Sequence, residues 1–227
     1  MSTLDDRGVL VIEFIDGTRP DRPGRTFAIL GALLGGLHAR PATGSRPGGA
    51  WHHLASTGGP ADEIDAALTL MQSVRARTSG ADSERCDLLL DAVASLDDAA
   101  DLPYAFVHPD FVPANAIQVA DGGLVIVDWA GAGRGPRLWS LAYLLWAGGV
   151  RDPRLVDAAV SHYRRHTQPT ADELGRLAGV LHARPLLLDC WSVAAGRRTL
   201  TEAVEGLRWA RRQAEPIATR AIAAFTT

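Results

Sequence analysis

The chain has 227 residues, of which 47% are hydrophobic and 22% are charged, and its formal net charge is −3. This size allows one sizeable core with a small appendage, and the slightly acidic balance gives no reason to expect a nucleic-acid partner. Two cysteines are too few for a disulfide framework or a zinc site. The longest apolar stretch, residues 138–150, is too short to cross a bilayer, and the acidic start is unlike a signal peptide. We therefore expect a cytoplasmic protein with no membrane partner.

The first part of the chain predicts one strand followed by helices. Residues 8–15 form an apolar run typical of a buried strand, and residues 16–20 (Asp-Gly-Thr-Arg-Pro) end it. Apolar residues at helical spacing then recur through the chain. The predicted helices are 26–39, 60–77, 83–96, 137–146, 152–166, 170–182, 184–195 and 200–225. Trp191 and Trp209 fall on apolar helix faces and are predicted to lie in the core.

Residues 41–59 are rich in glycine, proline and serine and predict a loop. The sequence Trp51-His52-His53 within it raises the possibility of a metal site. We expect the side chains of adjacent histidines to point apart, and no third ligand is evident. The loop is therefore not predicted to bind a metal ion.

Polar residues converge in the middle of the chain. Residues 104–107 predict a strand, and residues 116–120 and 124–128 predict a hairpin, because the Asp-Gly-Gly sequence between them supplies the positive φ of a tight turn. The hairpin returns Asp128 to the loop that holds Asp110 and Asn115. Two carboxylates and one amide are thus predicted to meet at one end of a small sheet.

This trio suits phosphoryl-transfer chemistry. Mg²⁺ prefers oxygen ligands, which the carboxylate of Asp128 and the amide of Asn115 provide, and Asp110 is left to accept a proton from an attacking hydroxyl. Taken singly, Asp110 could be a helix cap and Asn115 a turn residue. Asp128 ends an apolar strand, where functional groups of sheets tend to lie. His108 is predicted to tie the loop to the core.

The order of these residues resembles a known family. Asp110, four residues, Asn115, a hairpin and then Asp128-Trp129 are similar to the loop of the aminoglycoside phosphotransferase and choline kinase family, His-Gly-Asp-x-x-x-x-Asn followed by Ile-Asp-Trp. The resemblance implies an α+β, mainly α fold: a protein-kinase-like C-terminal lobe with a catalytic loop, one β-hairpin and an N-terminal hinge strand. It also implies Asp110 as the catalytic residue and Mg²⁺ on Asn115 and Asp128.

The same resemblance implies ATP as the phosphate donor and a small-molecule hydroxyl as the acceptor. Glu13, Phe14 and Ile15 correspond to the hinge whose backbone binds the adenine. Residues 1–20 would then be the terminal strand and hinge of an N-terminal lobe that is otherwise absent, and residues 21–227 the helical C-terminal lobe. Losing the lobe that holds the phosphates would cost several kcal/mol of barrier, roughly a thousandfold in rate. We therefore expect weak or incomplete activity.

Several features depart from the family pattern. Pro109 replaces the usual glycine, and Ser140 replaces a helix aspartate that braces the catalytic loop. A serine can still accept a hydrogen bond, but a neutral bond is weaker than a charge-assisted one. All 23 basic residues are arginine, so the usual phosphate-binding lysine is missing. Residues 129–136 predict a glycine-dense loop without the Gly-Lys-Ser/Thr ending of a P-loop.

Two further expectations concern partners. The alternative to an enzyme is a non-catalytic kinase-like remnant that binds a ligand, a partner protein or a second copy of itself at the exposed lobe interface. If the chain is an enzyme, its region from Arg151 onward holds twelve arginines against eight acidic residues. That charge does not attract polycations. We therefore predict a neutral or anionic hydroxyl substrate.

Overall fold

The computed structural model describes residues 2–4, 7–9, 14–41, 46–55 and 58–227. The fold is α+β and mainly helical, as predicted. The helices are α1 (Pro23–His38), α2 (Pro60–Arg75), α3 (Ala81–Ala94), α4 (Arg137–Gly149), α5 (Pro153–Tyr163), α6 (Ala171–Leu181), α7 (Ala183–Ala194) and α8 (Leu200–Thr226). The strands are β1 (Ser2–Leu4), β2 (Arg7–Val9), β3 (Tyr104–Val107), β4 (Ala116–Gln118), β5 (Leu124–Ile126) and β6 (Gly133–Pro136).

The predicted helices are confirmed within a few residues of their ends. Local signals explain several of the starts: a proline opens α1, α2 and α5, where the missing N–H costs nothing. Thr170 and Glu173 form a reciprocal capping box at the start of α6, and Thr199 with Glu202 does the same for α8. These caps satisfy backbone N–H groups that a helix start otherwise leaves without partners.

The core lies between the helices. Helices α1 and α5 pack closely because Gly31 and Gly35 face the backbone of Ala159 and Tyr163, where a Cβ atom would collide. Beside this contact, buried His38 and the hydroxyl of Tyr163 are hydrogen-bonded at 2.9 Å. One side chain that the helical pattern places in the core is not buried. Trp209 is 41% exposed and packs edge-on against Trp146, so its predicted core position is wrong.

The predicted hairpin is confirmed. Strands β4 and β5 pair antiparallel, with Ala116 opposite Ile126, and Gly122 supplies the positive φ of 81° in the turn. Thr18 pairs through both backbone groups with Gln118, at 3.0 and 2.8 Å. The segment that follows the predicted hinge is therefore fixed to the hairpin.

The glycine-dense segment after Asp128 is not only a loop, and this part of the prediction is wrong. Residues Gly133–Pro136 form β6, which pairs antiparallel with β3. Glycine has low strand propensity, but Gly133 lies against the backbone of Arg46 and Pro47 and Gly135 against that of Gly48, where side chains would not fit. The pairing therefore depends on a distant segment that local sequence does not reveal.

The N-terminal strand prediction is met only in part. Arg7–Val9 forms β2, which pairs antiparallel with β1. Residues 10–13 lie outside the described residues, and Phe14 and Ile15 are not in a strand. In the part of the chain that the structure describes, no helix combines the length and apolar character needed to cross a membrane.

Candidate active site

His108 links the two segments that carry the predicted site. Its imidazole is fully buried; Nδ1 accepts the N–H of Asp110 at 3.0 Å, and Nε2 lies 3.2 Å from the carbonyl of Val127. Because Nδ1 accepts, the proton of the neutral ring is on Nε2, which donates to Val127. Burial lowers the pKa of His108 against the opposing charges of Asp110 and Asp128. The predicted structural role of His108 is confirmed.

Asn115 holds Asp110 in place. Its amide N–H₂ donates to Oδ2 of Asp110 at 2.9 Å and to the carbonyl of the same residue at 3.0 Å. The backbone carbonyl of Asn115 accepts a hydrogen bond from the N–H of Val127 at 3.0 Å, which fixes the end of the strand before Asp128. Since the amide nitrogen makes both bonds to Asp110, the amide oxygen is the atom of this side chain that can bind a cation.

Asp128 has an unusual backbone conformation. Its φ is 60°, in the left-handed region that residues other than Gly, Asn and Asp rarely adopt. The residue is exposed, and the indole of Trp129 after it donates to the carbonyl of Ile126 at 2.9 Å. The indole also packs edge-on against His108, with ring centroids 4.8 Å apart. The chain therefore turns sharply at Asp128 and exposes its carboxylate beside the loop of Asp110.

Ser140 replaces the bracing aspartate and still holds the loop. Its fully buried hydroxyl accepts the N–H of His108 at 3.2 Å and donates to the carbonyl of His108 at 2.8 Å. A carboxylate could make only the first of these bonds. The prediction that serine can accept a hydrogen bond here is confirmed, and the donated bond is an addition that the sequence did not indicate.

A buried ion pair behind the loop was missed by the sequence reasoning. Glu63 of α2 and Arg184 of α7 form a salt bridge, with 0% and 4% of their side chains exposed. Glu63 also accepts the N–H of Trp51 at 3.1 Å, and Arg184 donates to the carbonyl of Gly49 at 3.1 Å. Burial raises the pKa of Glu63, while the charge of Arg184 acts in the opposite direction. Glu63 looks like an ordinary first-turn acid of α2, so no sequence signal marked it.

The same ion pair reaches the catalytic loop through Tyr143. The guanidinium of Arg184 lies over the Tyr143 ring, 5.5 Å from its centroid. Burial and the negative charge of Asp110 raise the pKa of Tyr143 to about 12. Tyr143 follows Ser140 by one turn of α4, so both side chains face the loop. Helical periodicity marks Tyr143 only as another half-buried residue.

The Trp51-His52-His53 segment lies beside the site. Its histidine rings do not point apart as predicted, because their centroids are 3.9 Å apart. Trp51 packs edge-on against His53 and against Trp191 of α7, at 4.5 and 5.3 Å. Among the described residues, no three His, Cys, Asp or Glu side chains are placed to hold a metal ion together.

The predicted hinge residues stand apart from this arrangement. Phe14 is 87% exposed, Ile15 is half-buried, and Glu13 lies outside the described residues. Just after them, a Cβ on Gly17 would meet the carbonyl of Gln118 on β4 at 2.5 Å. The chain after the hinge therefore runs directly against the hairpin whose far end carries Asp128.

Comparison with known proteins identifies the family. A sequence profile of the phosphotransferase enzyme family, APH, matches residues 2–179. The chain belongs to this family. No curated protein sequence matches the chain.

Solved structures share the fold at low sequence identity. Choline kinase LicA from Streptococcus pneumoniae is 20% identical with a TM-score of 0.56, covering 82% of this chain and 64% of its own. The aminoglycoside phosphotransferase of Alicyclobacillus acidocaldarius is 15% identical with a TM-score of 0.53, covering 95% of this chain and 71% of its own. Amicoumacin kinase hAmiN is 17% identical with a TM-score of 0.50, covering 85% and 59%. The chain thus spans less than two thirds of the length of LicA and of hAmiN, and the kinase-like fold is confirmed.

Proposed function

We propose that the chain transfers the γ-phosphoryl group of ATP to a hydroxyl group of a small molecule, with Mg²⁺ as the metal ion. The observation that carries the proposal is the buried imidazole of His108, which joins the peptide of Asp110 to the strand end before Asp128. Family membership supports the phosphotransferase class. LicA in complex with AMP, and hAmiN in complex with AMP-PNP and Ca²⁺, support a nucleotide and a divalent cation.

Asp110 is the proposed catalytic base. Asn115 donates to one of its carboxylate oxygens, Oδ2, so Oδ1 remains to accept the proton of an incoming hydroxyl. The bonds from His108 and Asn115 hold the carboxylate in one orientation before the acceptor arrives. Positioning of this kind supplies much of the rate in phosphoryl transfer, because the protein does little covalent chemistry.

Asn115 and Asp128 are the proposed metal ligands. One amide oxygen and one exposed carboxylate fit Mg²⁺, which takes few protein ligands and completes its shell with water and phosphate oxygens. A bound Mg²⁺ would neutralise the negative charge that develops on the phosphoryl oxygens. Asp128 is exposed where the chain leaves the strand in a left-handed conformation, and the bond between Val127 and Asn115 keeps the two ligands together.

The nucleotide is proposed to bind along the hinge. Glu13, Phe14 and Ile15 would contribute backbone groups to the adenine. The support is the pairing of Thr18 with Gln118, which brings the end of this segment to the hairpin. In this proposal, residues 1–20 form the strand and hinge, and residues 21–227 form the helical lobe.

A phosphotransfer assay tests the proposal. The consumption of Mg·ATP is monitored by ³¹P NMR, with choline, kanamycin or 4-nitrophenyl β-D-glucopyranoside as the acceptor. Asp110→Asn is expected to lower any transfer roughly a hundredfold to ten-thousandfold, the usual contribution of a general base. Asp121→Asn is the matched control, since Asp121 is exposed in the hairpin turn and asparagine can keep its bond from Gly123.

Equal rates in the Asp110→Asn and Asp121→Asn variants would contradict the assignment of Asp110. Mg²⁺-dependent nucleotide binding without transfer to any acceptor would instead favour the non-catalytic kinase-like alternative. Retention of the same circular dichroism spectrum in both variants ensures that a loss of transfer reports on chemistry.

A further inference from the structure

A cluster of four aromatic rings lies beside the catalytic loop and has no role in the proposed chemistry. It consists of Trp51, His52 and His53 from the loop before α2, and Trp191 from α7. His53 contacts Trp191 as well, with ring centroids 5.6 Å apart. His53 is exposed and the other three are half-buried, so the cluster presents ring surface to solvent.

Backbone contacts fix this cluster to the catalytic site. The N–H of Gly49 donates to the carbonyl of Gly131 at 3.0 Å, three residues after Asp128. A Cβ on Gly131 would collide with the carbonyl of Ala50 and would lie 3.1 Å from the ring of Pro109, the residue before Asp110. The segment that carries the rings is therefore packed against the loop that follows the proposed metal ligand Asp128, and this loop in turn contacts Pro109 beside the proposed base.

The cluster also shares its support with Asp110 on the inner side. The backbone of Trp51 is bound to Glu63, whose partner Arg184 lies over Tyr143. Tyr143 belongs to α4, whose Ser140 one turn earlier binds the backbone of His108. The ring cluster and the helix that holds the catalytic loop are therefore supported by the same buried ion pair.

Charges around the cluster disfavour a cationic ligand. Glu63 and Asp189, the nearby acids of α2 and α7, are already paired with Arg184 and Arg198. The guanidinium of Arg197 lies 4.5 Å from the centroid of the Trp191 ring, so one face of that ring already holds a cation. At the ring surface itself, a second positive charge would meet Arg197, and neither of these two acids is left unpaired to offset it.

We propose that Trp51, His53 and Trp191 form the acceptor subsite, and that its ligand is a hydroxyl compound with a flat ring and no positive charge. The ring of the ligand would stack on the exposed indole and imidazole surfaces, and its hydroxyl would reach Asp110. This inference rests on the proposed phosphotransfer function and names the substrate class of that site.

Saturation-transfer-difference NMR on the full chain tests the subsite with 4-nitrophenyl β-D-glucopyranoside as the probe. Saturation is expected to reach the aryl protons. Trp191→Leu and His53→Ala are each expected to weaken the affinity roughly threefold to tenfold, the effect of losing one aromatic contact. Trp209→Leu is the matched control, because it removes a solvent-accessible indole that packs on Trp146, outside the cluster. His53→Ala changes an exposed side chain, so it keeps the test valid if Trp191→Leu does not fold.

Absence of saturation transfer, an affinity in both cluster variants that is unchanged from the wild-type chain, or displacement of the probe by choline or kanamycin at lower concentration would each overturn the inference. The Asp110→Asn variant separates it from the proposed function. If the probe binds to both the wild-type chain and Asp110→Asn, but no transfer occurs in either, the proposed function fails while the subsite stands. If transfer occurs and the cluster variants leave its KM unchanged, the subsite fails while the function stands.

Discussion

The catalytic loop and the α1–α5 contact are held together in opposite ways. Around the loop, buried polar side chains form hydrogen bonds to the backbone of distant residues. His108 binds the carbonyl of Val127, and the hydroxyl of Ser140 binds both the N–H and the carbonyl of His108. Between α1 and α5, glycines allow the two backbones to touch, and apolar side chains fill the rest. The position of the loop depends on hydrogen bonds between particular atoms, whereas the α1–α5 contact depends on the complementary shapes of the two helices.

This difference bears on function. Transfer chemistry needs Asp110, Asn115 and Asp128 at fixed positions, and hydrogen bonds to backbone set positions more narrowly than apolar packing does. The cost is that a removed partner leaves a buried polar group without a bond, which destabilises more than a lost apolar contact of similar size. Variants in the two regions should therefore differ in both size and kind of effect.

The largest effect is expected at the buried ion pair behind the loop. Glu63→Gln leaves the guanidinium of Arg184 buried without a counter-charge, and loss of one partner of such a pair costs about 3–5 kcal/mol. Urea unfolding followed by circular dichroism measures the change. The double variant Glu63→Met/Arg184→Met is expected to recover much of the loss, because no buried charge remains. A loss below about 1 kcal/mol for Glu63→Gln would show that water or another group compensates the arginine.

A smaller and pH-dependent effect is expected at the α1–α5 contact. Burial, with a lesser contribution from the charge of Arg137, lowers the pKa of His38 from 6.5 to about 3. The unfolded state then binds more protons between these values, so stability falls as the pH drops below about 6.5. The slope is about 1.4 kcal/mol per pH unit for this group. Urea unfolding of the wild-type chain and of His38→Gln between pH 7.5 and 4.5 measures how the free energy of unfolding changes with pH. Because glutamine does not titrate, the variant should lose this contribution of about 1.4 kcal/mol per pH unit. Identical slopes would contradict a neutral buried His38.

The smallest effects are expected from added methyl groups in the same region. Gly31→Ala places a Cβ against the backbone of Ala159 and should destabilise by about 1–3 kcal/mol through overpacking. Gly36→Ala is the matched control in the same helix, where the nearest neighbour to a Cβ is a side-chain atom of His166 at 3.9 Å. It should stabilise by up to about 1 kcal/mol through helix propensity. The melting temperatures of both variants measure the difference. Equal shifts in melting temperature would show that the contact between α1 and α5 is loose.

The two regions also differ in how far the sequence predicts them. Helical periodicity and caps predict the helices closely, and Asp121-Gly122-Gly123 predicts the hairpin turn, since both signals act within a few residues. Motif spacing predicts that Asp110, Asn115 and Asp128 converge. It cannot predict β6, whose glycines depend on the distant backbone of residues 46–48.

Long-range side-chain partners are missed for the same reason. Glu63 and Arg184 are separated by 121 residues and each is unremarkable in its own helix. The exposure of Trp209 depends on how α8 lies against α4, and His53 contacts Trp191 of the distant helix α7. Local pattern alone carries no information about these pairings.

The most direct test of the central claim is a double-mutant cycle on metal binding. Binding of Mn²⁺ in the presence of AMP-PNP is measured from the loss of the free-ion electron paramagnetic resonance signal, for the wild-type chain, Asn115→Ala, Asp128→Ala and the double variant. If the two side chains hold one ion, each single variant weakens binding, and the double variant is little worse than the poorer single one. The expected coupling is about 1 kcal/mol or more. Strictly additive effects, or Mn²⁺ binding that neither variant changes, would contradict a shared metal site beside Asp110.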